Sequence, residues 1–274
     1  MNALERKEHE AVDHSLHLGD CMEIMQDIPD NSVDTVIADL PMDLRFKQSW
    51  KQIIPFKQMW MLLNRIGREG CPFVLMARQP QTSFLILSNK RKFRHCWVFE
   101  KNIATVGVRF EVEPFQNHED VCVFGEDSDT FIPQMAEKDN FDFDATSQIP
   151  NVLPPSIMKI SKGLACPSSV QRFSNSYAGK DRALSHEKPL KLMRYLLRTY
   201  SRRGDTVLDF CMGGGSTIVA AKSMGRHSIG IEIEKEKFER AEARIQNFEQ
   251  GATDAQNEGR LIWPDALTPK GSSR

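Results

Sequence analysis

Val207-Leu208-Asp209-Phe210-Cys211-Met212-Gly213-Gly214-Gly215-Ser216-Thr217 reads as a strand, a glycine turn and the start of a helix. The glycines permit positive φ and let a ligand come close to the backbone. Amides at the start of the helix can hold a carboxylate or a phosphate. Further on, a second apolar run ends in Glu232, where an acid can accept hydrogen bonds from ribose hydroxyls. Together these residues describe a pocket for a nucleoside-type cofactor. The dinucleotide pattern G-x-G-x-x-G does not fit, because the glycines are consecutive. The phosphate-loop pattern fails because no Lys precedes Ser216.

A second constellation is Asp39-Leu40-Pro41-Met42, placed where the β-branched run Val33–Ala38 gives out. In open α/β sheets, ligands bind outside the carboxyl ends of the strands, at the point where strand order reverses. A carboxylate held there by a proline turn can accept a hydrogen bond from an exocyclic amine. The Leu40 carbonyl can accept a second one, which leaves the nitrogen lone pair free for attack on an electrophilic carbon. An isolated Asp-x-Pro is more often a turn or a helix cap, so this site depends on its surroundings.

The elements that must position these groups follow from the apolar spacing. Short buried-strand patterns fall at 33–38, 73–77, 205–209 and 228–232, and alternating ones at 93–101 and 120–124. Helical spacing covers 54–66, 81–88, 190–200, 218–224 and 235–248, and His17 to Pro29 reads as a short helix or turn region. Strands alternating with helices predict an α/β fold with a doubly wound, mostly parallel, seven-stranded sheet. Gly125 to about Leu184 is rich in Pro, Ser, Asn and Asp and predicts a loop-rich insertion. The polar stretch after Gln250 predicts a frayed tail.

The 274 residues are 40% hydrophobic and 27% charged, which fits a globular protein and excludes collagen-like, coiled-coil and wholly disordered classes. No apolar stretch reaches the length of a membrane span, and the first residues carry no apolar signal core. Six cysteines without a C-x-x-C pair indicate neither a zinc site nor a disulfide framework. No metal site is expected, and the cytoplasm is the expected location.

The formal net charge of −1 hides a polarised chain. Asn151–Gly204 carries 11 Lys and Arg against 2 acids, and Arg78–Arg109 carries 7 against 1. Glu119–Asp144 reverses the sign, with 9 acids and 1 base. Two basic segments around an acidic one suggest a face that binds a polyanion. Lys90, Arg91, Lys92 and Arg94 in one segment, and Lys159, Lys162, Arg172, Lys180 and Arg182 in the other, are the candidates for phosphate contacts.

In their order along the chain, the two motifs resemble the DNA amino-methyltransferases of the β group, the adenine-N6 and cytosine-N4 enzymes that use S-adenosylmethionine. Those carry Asp, Asn or Ser followed by Pro-Pro and an aromatic residue, and then a glycine-rich cofactor segment. Lys188-Pro189, between the insertion and the cofactor segment, fits the β-group order, and Gly19-Asp20, Trp97 to Lys101 and His118-Glu119-Asp120 also resemble phage and prophage members. The likeness implies that Asp39 holds the target amine, with Pro41 shaping the turn and Met42 beside the base. It implies that Asp209, Phe210, Gly213, Gly215 and Ser216 cradle the methionine part of the cofactor. Glu232 would bind the ribose, and Lys188 and Pro189 would line the other edge. DNA is the implied partner, with the target base flipped out of the stack, and the chain would act as a monomer or homodimer.

An Asp at the first motif position resembles the adenine-N6 enzymes more than most cytosine-N4 enzymes. Met42 departs from the aromatic residue of the family, so a slowed or non-catalytic relative and a cytosine-N4 enzyme stay open as alternatives. Residues 1–124 are expected to form the catalytic half and 125–184 the target-recognition insertion. Residues 185–249 would form the cofactor-binding half, and 250–274 the polar tail.

Overall fold

A computed structural model describes residues 13–41, 54–105, 111–112, 114–126, 130–134, 136–137, 164–165, 167–174 and 187–257. Its main body is one sheet. Strands β1 (His14–Leu18), β2 (Thr35–Asp39), β3 (Phe73–Ala77), β4 (Phe93–Thr105), β5 (Gln116–Phe124), β8 (Val170–Phe173), β9 (Thr206–Asp209) and β10 (His227–Glu232) run in the order β1-β10-β9-β2-β3-β5-β4-β8. All neighbours are parallel except β5, which is antiparallel to both β3 and β4. The short pair β6 (Ala136–Glu137) and β7 (Leu164–Ala165) stands apart.

The alternation of side chains along each strand explains the two-sided cover. Val36, Ala38, Phe73, Leu75 and Leu208 pack on one face with helices α1 (Cys21–Asp27), α2 (Phe56–Ile66) and α3 (Gln81–Ser88). Ile37, Val74, Met76, Val121, Val123 and Val207 pack on the other with α4 (Leu190–Tyr200) and α5 (Ser216–Ser223). Such strands are buried on both faces and read as unbroken apolar runs, which is why β2, β3 and β9 were visible in the sequence. Helix α6 (Lys235–Asn257) packs Ala241 and Ile245 against Met212, Ile218 and Val219.

Three expectations change. The sheet has eight strands, not seven, because Val170–Phe173 of the insertion adds in parallel to β4 at the edge. His14–Leu18 is a strand, whose last two residues, His17 and Leu18, fall in the region expected as a helix or turn. It is an edge strand paired only to β10 and half exposed, so its sequence carries no buried-strand pattern. Helix α6 runs on to Asn257, past the expected fraying point at Gln250. Among the described residues no helix is long and apolar enough to cross a membrane.

Candidate active site

Strand order reverses between β2 and β9. The chain proceeds from β2 to β3 in one direction and from β9 to β10 in the other, so the carboxyl ends of β2 and β9 open one crevice. Thr35 pairs with Val207 and Val36 with Leu208, which brings Asp39 to the tip beside Asp209. Had these two tips been far apart, no single pocket could serve both motifs.

Asp39 leaves the sheet with its Oδ1 buried and without a hydrogen-bond partner among the described residues. Its Oδ2 accepts from Lys188 Nζ at 2.5 Å. Burial pushes the Asp39 carboxyl above its usual range; Lys188 pulls against this, and the nearby Glu119 charge adds to it. The Pro41 carbonyl accepts from Gln81 Nε2 at 3.1 Å, which ties the turn to the start of α3. Met42 lies outside the described residues, as do Lys159, Lys162, Lys180 and Arg182.

The glycine turn is held from several sides. Gly213 and Gly215 have φ of +52° and +77°, a region that glycine enters at little cost. Asp209 Oδ1 accepts from the Cys211 amide at 3.1 Å. Glu232 Oε2 accepts from the Gly213 amide at 2.9 Å, and its Oε1 from the Glu234 amide at 2.8 Å. Each of those oxygens keeps a second lone pair for a ribose hydroxyl. Asp209 is buried, and desolvation raises its carboxyl to about 7 against the pull of its hydrogen bonds to Thr217 and Cys211. Phe210, expected against the ligand, is instead a core residue at 1% exposure. Gly215 packs on α6, where a Cβ would come within 3.0 Å of Ala241 Cβ.

Lys188, expected along the cofactor's edge, turns its ammonium to Asp39. It is Glu187 that lies across the turn: a Cβ on Gly214 would meet Glu187 Oε1 at 1.9 Å. Arg244 Nη1 binds Glu187 Oε2 and also donates to the Gly214 carbonyl at 3.0 Å and to Ser216 Oγ at 3.1 Å. Pro189 caps the start of α4.

The residues present fit S-adenosylmethionine. Among the described residues, a Cβ on Gly213 would meet nothing within 4 Å, so space stands open over the turn there. Acids and an arginine suited to an amino-acid end surround the turn. Exposed Leu18 and Ile233 flank Glu232, apolar groups of the kind that lie against a nucleobase.

The basic residues divide. Phe93 and Phe73 both pair with Phe124 at the start of β3, whereas Asp39 pairs with Met76 near its end. That separation is about 10 Å along the sheet, and Lys90, Arg91, Lys92 and Arg94 lie at or beyond Phe93. The structure does not bring these four to the Asp39 end. Lys92 Nζ donates to Asn64 Oδ1 at 2.8 Å, and Arg94 donates to the Glu126 carbonyl. Arg172 does lie at the Asp39 end; it pairs with Glu100 at 2.6 Å and its side chain is 81% exposed.

The sequence assigns no role to Gln81, Glu187 or Arg244, and marks Lys101 and Glu119 only as parts of family-like segments. Glu119 carried one signal: it shares a strand face with buried Val121 and Val123, and a carboxylate there requires a cation.

Residues 47–243 match the family described as DNA methylase, of the N6 and N4 type. The chain belongs to that DNA methylase family. It is a site-specific, S-adenosylmethionine-dependent DNA amino-methyltransferase. The Type II methyltransferase M1.MboII of Moraxella bovis is 23% identical over 265 residues, which cover 86% of this chain and 98% of that one. The Type II methyltransferase M.BglI of Bacillus subtilis is 42% identical over 60 residues, 22% of this chain and 17% of that one. Among solved structures, the M1.HpyAVI complex with S-adenosylmethionine superimposes with a TM-score of 0.58 at 19% identity, covering 85% and 98% of the two chains. The cytosine-N4-specific PvuII DNA methyltransferase gives 0.61 at 15% identity, covering 88% and 93%. This DNA methylase therefore shares its fold with enzymes of the same chemistry, and the family match begins after its own Asp39–Met42 segment.

Proposed function

We propose that the methylated group is the N6 amine of adenine. The observation that supports an exocyclic amine as target is the buried Asp39 Oδ1, without a partner among the described residues, at the crevice between β2 and β9; adenine rather than cytosine rests on the Asp at the first motif position, which resembles the adenine-N6 enzymes. Asp39 Oδ1 is an acceptor with no donor of its own among those residues, at the place where an exocyclic amine would arrive. Such a group costs stability unless a ligand satisfies it.

When bound, S-adenosylmethionine supplies a methyl group on a positively charged sulfur. The chain's residues do the rest. Asp39 Oδ1 and the Leu40 carbonyl accept the two amine hydrogens and orient the nitrogen. As the nitrogen gains the methyl group it releases a proton, and Asp39 Oδ1, already its acceptor, takes that proton up. Lys188 steadies the other oxygen. Glu187, Arg244, Ser216 and the glycine turn hold the cofactor's amino-acid end, and Glu232 its ribose. Arg172 contributes phosphate contacts, and residues 125–184 choose the sequence, with the target base flipped out.

Labelled methyl transfer to unmethylated bacterial genomic DNA, followed by nucleoside analysis, tests this. The expected product is N6-methyladenine, absent with Asp39→Ala. N4-methylcytosine as the only product would replace adenine by cytosine as the target. Met42 takes the place of an aromatic that stacks on the base, and such stacking is worth about 1–3 kcal/mol. Met42→Tyr is expected to raise kcat about tenfold or more on that ground; an unchanged rate would remove position 42 from base contact.

A further inference from the structure

The tip of β2 lies beside a carboxylate that the reaction as proposed leaves without a role. Glu119 stands on β5 with its side chain 5% exposed. Lys101 Nζ donates to its Oε1 at 2.5 Å. Lys188 Nζ stands 2.9 Å from its Oε2, and Arg78 Nε stands 3.8 Å from Oε1. Lys188 is itself buried, with its side chain 10% exposed, and is shared between Glu119 and Asp39. Burial works against the ionised form of Glu119, but the two ammonium groups outweigh it and hold the carboxyl well below the usual range.

This arrangement makes the two oxygens of Asp39 unequal. Oδ2 belongs to Lys188, and Oδ1 is open. An ammonium has three donors that rotate freely, so nothing in Lys188 alone restricts it to one oxygen of Asp39. Glu119 supplies a second anchor, because its Oε2 lies 2.9 Å from the same Nζ that donates to Asp39 Oδ2. Without that second anchor, Lys188 would be held by Asp39 alone and could bridge both of its oxygens. The open acceptor would then be lost.

We infer that Glu119 is a positioning residue of the methyl-transfer site: it anchors Lys188 on one oxygen of Asp39 and so keeps the other free for the target amine. Lys101 holds the anchor by its other oxygen, Oε1. The inference rests on the role of Asp39 proposed above. A purely structural Glu119, there only to neutralise buried cations, would affect stability and all kinetic constants together.

The test measures steady-state kinetics with labelled S-adenosylmethionine and unmethylated bacterial genomic DNA, cofactor affinity by calorimetry, and thermal melting. The variants are Asp39→Ala, Glu119→Gln, Glu119→Asp, Lys188→Met and the Glu119→Gln/Lys188→Met pair. Glu119→Gln keeps shape and acceptor but removes the charge. Its kcat is expected to fall about tenfold or more, with KM for DNA and cofactor affinity within about threefold. In the Lys188→Met background the same change should cost nothing further in kcat, because Glu119 acts through Lys188.

Wild-type kcat in Glu119→Gln, with Asp39→Ala inactive, overturns the inference and leaves the Asp39 reading standing. Additive losses in the double variant also overturn it. Full turnover in Asp39→Ala removes the Asp39 reading and this inference with it. If Glu119→Gln does not fold, Glu119→Asp decides. An unchanged KM with kcat between those of wild type and Asp39→Ala supports the anchor, and wild-type kcat overturns it.

Discussion

Lys188 Nζ lies 2.5 Å from Asp39 Oδ2, although 149 residues of chain separate them. The pair joins the segment before α4 to the tip of β2 and brings the two halves of the chain to one carboxylate. Lys188 lowers the Asp39 carboxyl against the effect of burial, Glu119 raises it, and Arg78 lowers it more weakly.

Lys188→Met should therefore leave Asp39 harder to ionise. Loss of an adjacent opposite charge raises a carboxyl by about one to three pH units. The acid limb of the kcat/KM profile is expected to move up by at least about one unit on that basis, so that activity falls most at low pH and partly returns as pH rises. A profile unchanged in position would separate Lys188 from Asp39 ionisation.

Asp209 gives a stability prediction whose sign follows from its burial. Its carboxyl titrates near 3.8 when unfolded and at about 7 when folded. The folded state thus binds the proton more tightly, and this residue lowers stability as pH rises from about 4 to about 7. Asp209→Asn removes that dependence. Its stability relative to wild type should improve between pH 5 and pH 8 by about 2–3 kcal/mol, at about 1.4 kcal/mol per pH unit. Denaturant melts at both pH values measure this, and an offset independent of pH would contradict it.

Gly214 should not tolerate a side chain without cost to the cofactor. The obstacle is Glu187 Oε1, at 1.9 Å from the added carbon, and Arg244 and Ser216 tie that carboxylate down. Gly214→Ala is expected to displace Glu187 and weaken S-adenosylmethionine binding by about tenfold, the effect of losing roughly 1.4 kcal/mol. Melting of the unliganded protein should change little. Calorimetry showing wild-type affinity would mean that Glu187 plays no part in cofactor binding.

The placement of the basic residues can be tested by salt. Arg172→Ala should weaken DNA binding and reduce the slope of log affinity against log salt by about one. Replacing Lys90 and Arg91 by Ala should leave that slope unchanged, because both lie at the other end of the sheet. The reverse result would move the DNA to the amino ends of the strands.

Much of the sheet was legible in the chain. Phe73–Ala77, Gln81–Ser88 and Leu190–Tyr200 have the bounds that their apolar spacing predicts. Strands buried on both faces and helices buried on one leave periodic signatures. His14–Leu18 left none, because an edge strand with one neighbour need not be apolar. The eighth strand was hidden for the same reason: Val170–Phe173 is half exposed and takes its place only by pairing with β4.

The site divides along the same line. Asp39-Leu40-Pro41, the glycine turn and Glu232 could be read from local order, because a strand that ends in a polar turn places that turn at the sheet's carboxyl edge. Local order could not say that Lys188 serves Asp39 rather than the cofactor, that Phe210 is core, or that Glu187 spans Gly214. Nor could it say that Lys90 to Arg94 lie away from the crevice. Those facts depend on which strands become neighbours and on how far along them each residue falls. Motifs arise from contacts within a few residues, whereas charge partners are chosen among groups brought together only by packing of the whole sheet.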